Sequence, residues 1–322
     1  MNVRQLADKV GPATMIAARA SGAALRGGMR LAVARSGKLP EKNPLPPGRL
    51  IDLPGRGEAY VVDTGEPHPG APTVLLLHAV ATTASLSWFT TVDALVADYR
   101  VVLMDQRWHG RGLPSDRFSL TECADDVDAL LKVLNIDRAV VVGYSMGGAL
   151  AQVLARRHPE RISGLVLCST ATTWKGNAGE AMFYPVLTAL TALGRRQTSS
   201  RVRQHADSLP PPLPEIDDDV ALWAWSEFRS TSFWSLPEVL GELGRFDARG
   251  HIGSVTVPTA VVVTCRDKVI APARQYEMAA MIPGAKVFEA PGGHASVVLD
   301  SERWRPVFLK ALGHVTGIDA AA

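Results

Sequence analysis

The sequence predicts a doubly wound α/β fold with a mostly parallel sheet, and two observations support this. Short apolar runs alternate with helical patterns along most of the 322 residues, which is the order that right-handed strand–helix–strand crossovers produce. Several runs are continuously apolar, as expected for strands covered by helices on both faces. The runs are Ala59–Val62, Thr73–Leu77, Arg100–Met104, Ala139–Val142, Gly164–Cys168, Thr259–Thr264 and Lys286–Phe288.

Helical patterns separate these runs. The segment from Ser119 to Leu131 starts with a capping residue and has acidic residues in its first turns, followed by apolar residues at helical spacing. Met146–Arg157 and Glu302–His314 show the same periodicity. Each of the three segments is therefore predicted as a helix that covers the sheet.

The longest break in this alternation covers residues 174–250. It is too long for a simple connection, is predicted to hold three helices and a turn at Pro210–Pro214, and contains nine of the chain's aromatic residues. We interpret it as a helical cap inserted after the sixth strand of the sheet, which ends near Cys168 and is the fifth of the apolar runs given above. About half of the aromatic side chains should form the cap's own core, and others should line an apolar cleft. The pocket candidates are Trp174, Phe183, Tyr184, Trp223 and Trp234.

Charge separates the start of the chain from the remainder. Residues 1–50 hold nine Lys and Arg against two Asp and Glu, whereas the other residues hold 25 basic and 30 acidic side chains. Residues 1–50 are thus predicted to be a basic N-terminal arm that ends in a Pro-rich linker. The core would comprise residues 51–173 and 251–322, and a chain that begins near Arg49 should still fold and remain active.

Composition also limits the partners. The arm lacks interleaved aromatic residues and the remainder is acidic, so we expect no nucleic acid. Residues 1–38 could contact an anionic membrane surface at its periphery. No run of about 18 apolar residues predicts a membrane span. The three cysteines have neither disulfide-framework nor zinc-site spacing. We therefore expect a cytoplasmic protein without metal or cofactor; the oligomeric state stays open.

A candidate nucleophile follows the most apolar run. Gly143-Tyr-Ser145-Met-Gly147 stands between a predicted buried strand and a predicted helix. A serine on a tight strand-to-helix turn needs neighbours without bulky side chains, because the turn is strained and its backbones crowd. The helix that follows directs its first N–H groups towards negative charge that develops at the serine.

A serine hydroxyl needs a base, and the base needs an acid that orients it. In the fold that uses this turn, acid and histidine follow the serine in that order, each after a later strand. Asp267 follows the run Thr259–Thr264, and His294 lies in a Gly-rich loop after Lys286–Phe288. His78 and His109 are also candidate bases, but we expect them to hold loops through backbone hydrogen bonds.

These motifs, together with Asp105-Gln-Arg-Trp-His-Gly-Arg-Gly112, resemble the α/β-hydrolase superfamily. The resemblance covers about residues 51–322 and is closest to the capped bacterial esterases, enol-lactonases and cofactor-free haloperoxidases. It implies an oxyanion hole formed by the backbone N–H groups of Val80 and Met146.

The chain departs from the superfamily's pattern at two positions. The superfamily usually has His-Gly where this chain has His78-Ala79, and it usually has a glycine in the place of Trp108. A side chain restricts the backbone more than glycine does. Ala79 therefore narrows the backbone conformations open to the loop that holds Val80, and Trp108 adds a bulky ring beside the upper edge of the sheet.

The leading functional hypothesis is a serine hydrolase that cleaves carboxylic esters of apolar or medium-chain substrates through an acyl-enzyme intermediate. Its partner would be a small-molecule ester. The same three residues could serve an acyltransferase, thioesterase, lactonase or perhydrolase, and the fold could also be a non-catalytic ligand receptor. A serine nucleophile argues against haloalkane dehalogenase and epoxide hydrolase chemistry, which uses a carboxylate at this position in related enzymes.

Overall fold

The computed structural model of the protein describes residues 45–175, 178–209 and 220–318. The basic arm 1–38 and the turn predicted at Pro210–Pro214 lie outside these residues. The described strands are β1 (Arg49–Leu53), β2 (Gly57–Asp63), β3 (Thr73–Leu77), β4 (Arg100–Met104), β5 (Ala139–Tyr144), β6 (Ile162–Cys168), β7 (Thr259–Thr264) and β8 (Lys286–Ala290).

All eight strands belong to one sheet, in the order β1-β2-β4-β3-β5-β6-β7-β8. β2 is antiparallel to β1 and β4, and the remaining neighbours are parallel. The strand order runs in opposite directions on the two sides of β3, as in a doubly wound sheet. The predicted fold class is confirmed.

Helices cover both faces of the sheet. The described ones are α1 (Ala84–Trp88), α2 (Leu120–Val133), α3 (Met146–Arg157), α4 (Ala178–Asp207), α5 (Val220–Ser230), α6 (Leu236–Arg245), α7 (Pro272–Met281), α8 (Ser296–Leu299) and α9 (Ser301–Thr316). The predicted capping residue Ser119 accepts a hydrogen bond from Glu122 N at the start of α2. Among these helices, none combines the length and apolar character needed to cross a membrane.

Alternate residues of one strand enter two separate cores. Val141 of β5 packs with residues of α2, α3 and α7, whereas its neighbours Val140 and Val142 pack with residues of α1 and α9. Both faces of the strand are therefore buried. This burial on two sides explains why the central runs are continuously apolar rather than alternating.

The edge strand β1 is absent from the predicted runs. Ile51 and Leu53 are buried, whereas Leu50, which precedes both in the strand, is 47% exposed. This pattern alternates over only five residues and follows directly after a cluster of prolines. A half-exposed edge strand that is so short carries too little periodicity to separate it from the linker.

The helices α4, α5 and α6 lie between β6 and β7, and we call them the helical insertion. α4 and α6 pack closely: the Tyr184 ring lies where a Cβ on Gly244 would stand, and the Thr188 hydroxyl donates a hydrogen bond to the Gly241 carbonyl at 3.4 Å. The insertion therefore has internal contacts between two of its helices. Its treatment as a separate cap domain remains a prediction.

The start of the described chain bears on the expected effect of truncation. Leu45 is 6% exposed and packs in the core under α1 and α9. Urea unfolding of a chain that begins at Leu45 and of one that begins at Arg49 measures the contribution of this leucine. A chain that begins at Arg49 should fold and stay active but lose about 1.5–3 kcal/mol, the typical contribution of a buried leucine. Equal stability of the two truncated chains would contradict this.

Candidate functional site

The turn between β5 and α3 holds Ser145 in a strained conformation. Its φ of 55° and ψ of −114° lie in a region that residues with a side chain rarely adopt. Two close approaches explain the flanking glycines. A Cβ on Gly143 would lie 2.3 Å from the Gly147 carbonyl oxygen, and a Cβ on Gly147 would lie 2.2 Å from that of Leu77. The Gly-x-Ser-x-Gly spacing is therefore a steric requirement of this turn.

Ser145, His294 and Asp267 form a continuous hydrogen-bonded chain. The Ser145 Oγ lies 2.9 Å from His294 Nε2, and His294 Nδ1 lies 2.7 Å from Asp267 Oδ2. Because the carboxylate can only accept, His294 donates from Nδ1, which leaves Nε2 to accept the serine proton. The three residues follow β5, β7 and β8, so the parallel strands bring them to the same edge of the sheet, as predicted from their order.

The Asp267 carboxylate is held on both oxygens. Its Oδ1 accepts hydrogen bonds from the backbone N–H groups of Val269 and Ile270, at 2.8 and 2.9 Å. Its Oδ2 accepts from Gln275 Nε2 at 3.3 Å in addition to His294. Gln275, which is fully buried in α7, also accepts from the backbone N–H of Thr264. Gln275 could not be identified from the sequence, because nothing local marks a helix glutamine as a partner of this carboxylate.

The loop that holds His294 is anchored by Tyr144, the residue before the candidate nucleophile. The Tyr144 hydroxyl donates to the His294 carbonyl at 2.7 Å. Burial raises the pKa of Tyr144 far above its usual value, so the phenol keeps the proton that it donates. Gly292 adopts a φ of 109°, and a Cβ there would lie 2.3 Å from Ser296 Oγ. The Gly-rich character of this loop thus has a steric cause.

Access to the site is restricted. Ser145 is fully buried, and the Asp267 side chain is fully buried as well. The His294 side chain retains 20% of its exposure. Of the three side chains, only that of His294 is therefore exposed to solvent in this structure.

Residues 78–83, which we call the β3–α1 loop, lie directly beside the turn between β5 and α3 that holds Ser145. A Cβ on Gly147 would contact the carbonyl oxygens of Leu77 and His78, so the two backbones touch. Val80 lies in this loop, partly buried against the core under α3. Met146 is the first residue of α3, where backbone N–H groups have no partner within the helix. Both predicted oxyanion donors are thus on neighbouring segments, and their role remains a prediction.

The two departures from the superfamily pattern have different structural consequences. Ala79 does not adopt a positive φ, and the left-handed position of the loop is Ala81, at 61°. An alanine at position 79 is therefore compatible with the loop. Trp108 does adopt a positive φ, of 65°. Its buried ring packs near Phe118 and its Nε1 donates to the Ser115 carbonyl at 3.1 Å, which holds the strained backbone in place.

His78 and His109 are neutral, buried side chains. Burial lowers the pKa of His109 to about 4, and burial followed by the electrostatic effect of the neighbouring His109 lowers the pKa of His78 well below its usual value. His78 accepts from the backbone N–H of Gln106 at 2.9 Å and donates to the Ala79 carbonyl at 2.8 Å. His109 donates to the Arg107 carbonyl at 2.9 Å. These backbone bonds are the loop contacts expected of both residues.

The five pocket candidates occupy different environments. Trp174 and Trp223 are buried, and Trp223 packs edge-on against Phe89 with ring centres 5.0 Å apart. Tyr184 and Trp234 are partly buried, and the Arg201 guanidinium lies 4.0 Å over the Trp234 ring. Phe183 is 54% exposed. Their part in binding a substrate remains a prediction.

One group of side chains in the described ranges has the spacing of metal ligands. Ligand atoms of Asp128, His158 and Glu160 lie within 4.8 Å of one another. Asp128, however, is bound by Lys132 at 2.6 Å and by Arg161 at 2.8 Å. Asp128 lies in α2, and His158 and Glu160 follow the C-terminal end of α3, whereas Ser145 precedes its N-terminal end. Two cations already neutralise the carboxylate that a metal would need, so we assign no metal to this group.

Comparison with known proteins places this geometry in a family. A family described as alpha/beta hydrolase fold matches residues 72–301. The chain belongs to the α/β-hydrolase fold family. Because the match contains Ser145, Asp267 and His294, the hydrogen-bonded chain of this α/β hydrolase lies inside the segment that defines the family.

Individual relatives of the hydrolase resemble it over most of their length. It is 28% identical over 258 residues to "Putative carbamate hydrolase RutD" from Serratia proteamaculans, a match covering 78% of this chain and 94% of the relative. The enol-lactonase from Burkholderia xenovorans LB400 matches with 25% identity and a TM-score of 0.63, over 82% of this chain and 99% of that one. A hydrolase from Pseudomonas aeruginosa PA01 matches with 25% identity and a TM-score of 0.64, over 83% and 98%.

Proposed function

We propose that this hydrolase cleaves carboxylic esters with an apolar acyl chain through a covalent acyl-enzyme intermediate. The hydrogen-bonded chain from Ser145 through His294 to Asp267 is the observation that supports the proposal most directly. It combines a hydroxyl, a base that accepts the hydroxyl's proton and a carboxylate that orients the base, which are the three parts of serine acyl transfer.

Acylation would begin when His294 Nε2 takes the proton of Ser145 as its Oγ attacks the ester carbonyl carbon. The carbonyl oxygen becomes negative and is stabilised by the N–H groups of Met146 and Val80, while Asp267 stabilises the imidazolium. When the carbon–oxygen bond of the ester breaks, His294 returns the proton to the departing alcohol. The acyl group stays on Ser145 as an ester.

Deacylation repeats these steps with water. His294 Nε2 removes a proton from a water molecule, whose oxygen attacks the acyl carbon, and the same N–H groups hold the oxyanion. Breakdown of the tetrahedral intermediate returns the proton to Ser145 and releases the carboxylic acid. An alcohol, thiol or peroxide in the place of water would turn the same chemistry into acyl transfer.

The side chains around the insertion favour an apolar acyl group. Trp174 and Trp223 are buried, and the insertion contributes Val202, Val239 and Leu243 to the cores. Apolar surroundings bind hydrocarbon chains and disfavour charged substrates, because a charge would lose its hydration without a partner. A carbamate is a second candidate substrate, since relatives named as carbamate hydrolases match most of the chain at 28% identity or less.

Covalent labelling tests the nucleophile. We expect a fluorophosphonate to form one adduct, mapped by mass spectrometry to the peptide that contains Ser145. Turnover of p-nitrophenyl butyrate should fall in proportion to the labelled fraction, and excess ester should slow labelling. Turnover that persists after complete labelling of Ser145 would contradict the proposal.

A matched substrate panel tests the class of acyl compound. We expect kcat/KM for a phenyl butanoate ester to exceed that for phenyl carbamate by at least about tenfold, the usual discrimination of an apolar pocket against a polar group. Longer acyl chains should lower KM until the pocket is filled. A higher kcat/KM for the carbamate would contradict the ester proposal and favour a carbamate as the substrate class.

A further inference from the structure

Glu227 is a buried carboxylate of the insertion that contacts the core beside the candidate site. It lies in α5 and is 7% exposed. Its Oε2 accepts a hydrogen bond from the Thr83 hydroxyl at 2.6 Å, and its Oε1 accepts from Arg111 at 3.3 Å. A buried carboxylate is retained only when it is paired, and both partners here belong to the core rather than to the insertion.

Thr83 links this contact to the β3–α1 loop. Its hydroxyl oxygen also accepts from the backbone N–H of Leu86, so it caps α1 while it donates to Glu227. One turn further along, Thr231 forms a second link. It donates to the Thr82 carbonyl at 3.5 Å and accepts from the backbone N–H of Gly110 at 3.0 Å. The C-terminal end of α5 thus holds the loop at two adjacent residues.

Hydroxyl groups continue this network within the loop towards Val80. The Thr82 hydroxyl donates to the Ala79 carbonyl at 2.9 Å and lies 2.6 Å from Ser87 Oγ. Ser87 Oγ in turn accepts from the backbone N–H of Ala79 at 3.4 Å. The peptide units on either side of Ala79, of which the second contains the Val80 N–H, are therefore positioned by residues that connect to α5.

A second buried carboxylate, that of Asp105, lies near Glu227 and Arg111. The Asp105 carboxylate accepts from the backbone N–H of Arg111 at 3.0 Å, so Arg111 touches both acidic residues. Burial and then the charge of Glu227 raise the pKa of Asp105 to about 7. The Arg111 guanidinium pairs with Glu227 alone, and the nearby Asp105 carboxylate opposes part of that stabilisation through repulsion between like charges. Separation of α5 from the core consequently costs less than the number of hydrogen bonds suggests.

We propose that Glu227 is a positioning residue that couples the packing of the helical insertion against the core to the geometry of the β3–α1 loop. The loop presents the Val80 N–H to the substrate oxygen only when α5 is packed against the core and Glu227 accepts the hydrogen bond from Thr83. Ser145 is fully buried in this structure, so substrate entry is assigned to the state in which α5 is displaced from the core. Closure over the substrate then completes the oxyanion site. This inference rests on the proposed ester hydrolysis.

Glu238 provides a matched control. It is a second buried carboxylate of the insertion, 2% exposed, and it also bonds to the core and to an arginine. Its Oε1 accepts from the backbone N–H of Phe118 at 3.3 Å and from Arg195 at 3.1 Å. It has no contact with the β3–α1 loop among its hydrogen bonds. Substitutions at Glu227 and Glu238 therefore remove contacts between the same insertion and different parts of the core, and only Glu227 contacts the β3–α1 loop.

The kinetic test compares Glu227→Ala and Glu227→Gln with Glu238→Ala and Glu238→Gln on p-nitrophenyl butyrate. We expect Glu227→Ala to lower kcat about 10- to 100-fold, a part of the loss that removal of one oxyanion donor causes, with KM changed less than threefold. A trifluoromethyl ketone, which forms an oxyanion on Ser145, should lose affinity by the same factor. Glu227→Gln, which can accept from only one of the two donors, should lie between wild type and Glu227→Ala.

Hydrogen exchange tests the position of the loop without reference to activity. Peptides that cover residues 78–86 should exchange at least tenfold faster in Glu227→Ala than in wild type, and less than threefold faster in Glu238→Ala. Unchanged exchange of these peptides, or equal loss of kcat in the two series, would overturn the proposal. Absence of ester turnover in wild type would refute the proposed function, while exchange would still decide whether Glu227 positions the loop.

Discussion

Replacing Asp267 by asparagine should lower kcat/KM for p-nitrophenyl butyrate about ten-thousand-fold without unfolding the protein. The orientation of the new amide is set by its neighbours. The backbone N–H groups of Val269 and Ile270 bond to Oδ1, so they would hold the amide oxygen on that side. The amide NH2 group would then face His294 Nδ1 and donate to it.

This reversal changes the tautomer of the histidine. An imidazole that accepts at Nδ1 carries its proton on Nε2, and Nε2 can then no longer accept the proton of Ser145. The geometry of the three residues stays intact while the direction of the hydrogen bonds is wrong for attack. The rate of fluorophosphonate labelling should therefore fall together with kcat/KM.

Asp247→Asn is the control for this substitution. Asp247 is an aspartate that pairs with Arg249 on the surface, and its substitution should change kcat/KM less than twofold. Thermal unfolding should show that both variants are folded. If Asp267→Asn retained more than a tenth of the wild-type kcat/KM, the role assigned to the carboxylate would be wrong.

The second large effect is on stability. Gly147→Ala should destabilise the protein by more than about 3 kcal/mol, above the usual range for overpacking. The added Cβ would lie 2.2 Å from the carbonyl oxygen of Leu77 and 2.5 Å from its carbonyl carbon. Backbone atoms of a central strand cannot turn away as a flexible side chain can. The clash must therefore be relieved by moving α3 away from β3.

Gly194→Ala is the matched substitution in another helix. Gly194 lies within α4, and a Cβ there would meet nothing within 4 Å. Alanine should stabilise the protein at this position by about 0.5–1 kcal/mol, the difference in helix propensity between the two residues. Urea unfolding of both variants measures the contrast. Equal stabilities would show that Gly147 tolerates a side chain and that its crowding is not limiting.

Most of the sheet was predictable because its signals are local. A central strand such as β5 is buried on both faces, and its run of apolar residues makes it visible without any partner. The edge strand β1 was missed because half of its surface is exposed and its pattern is only five residues long. The helices α2 and α3 were predicted to within a few residues, since capping and periodicity are also properties of contiguous residues.

The identity of the candidate site was likewise readable from short motifs. Ser145, Asp267 and His294 each follow a strand directly, and the fold class alone brings the ends of parallel strands together at one edge of the sheet. Their glycine neighbours reflect close backbone approaches that any chain with this turn must make. Local residue order therefore suffices for these three positions and for the type of chemistry that they suggest.

Only the tertiary structure reveals the residues that hold these groups in place. Gln275 bonds to Asp267 from a different element, and Glu227 bonds to Thr83 across 144 positions of the chain. No local pattern marks such a partner, because a buried glutamine or glutamate is selected by the donors that face it after folding. The conformations of Ala81 and Trp108 were equally unpredictable, since packing by distant residues rather than their own preference imposes a positive φ on them.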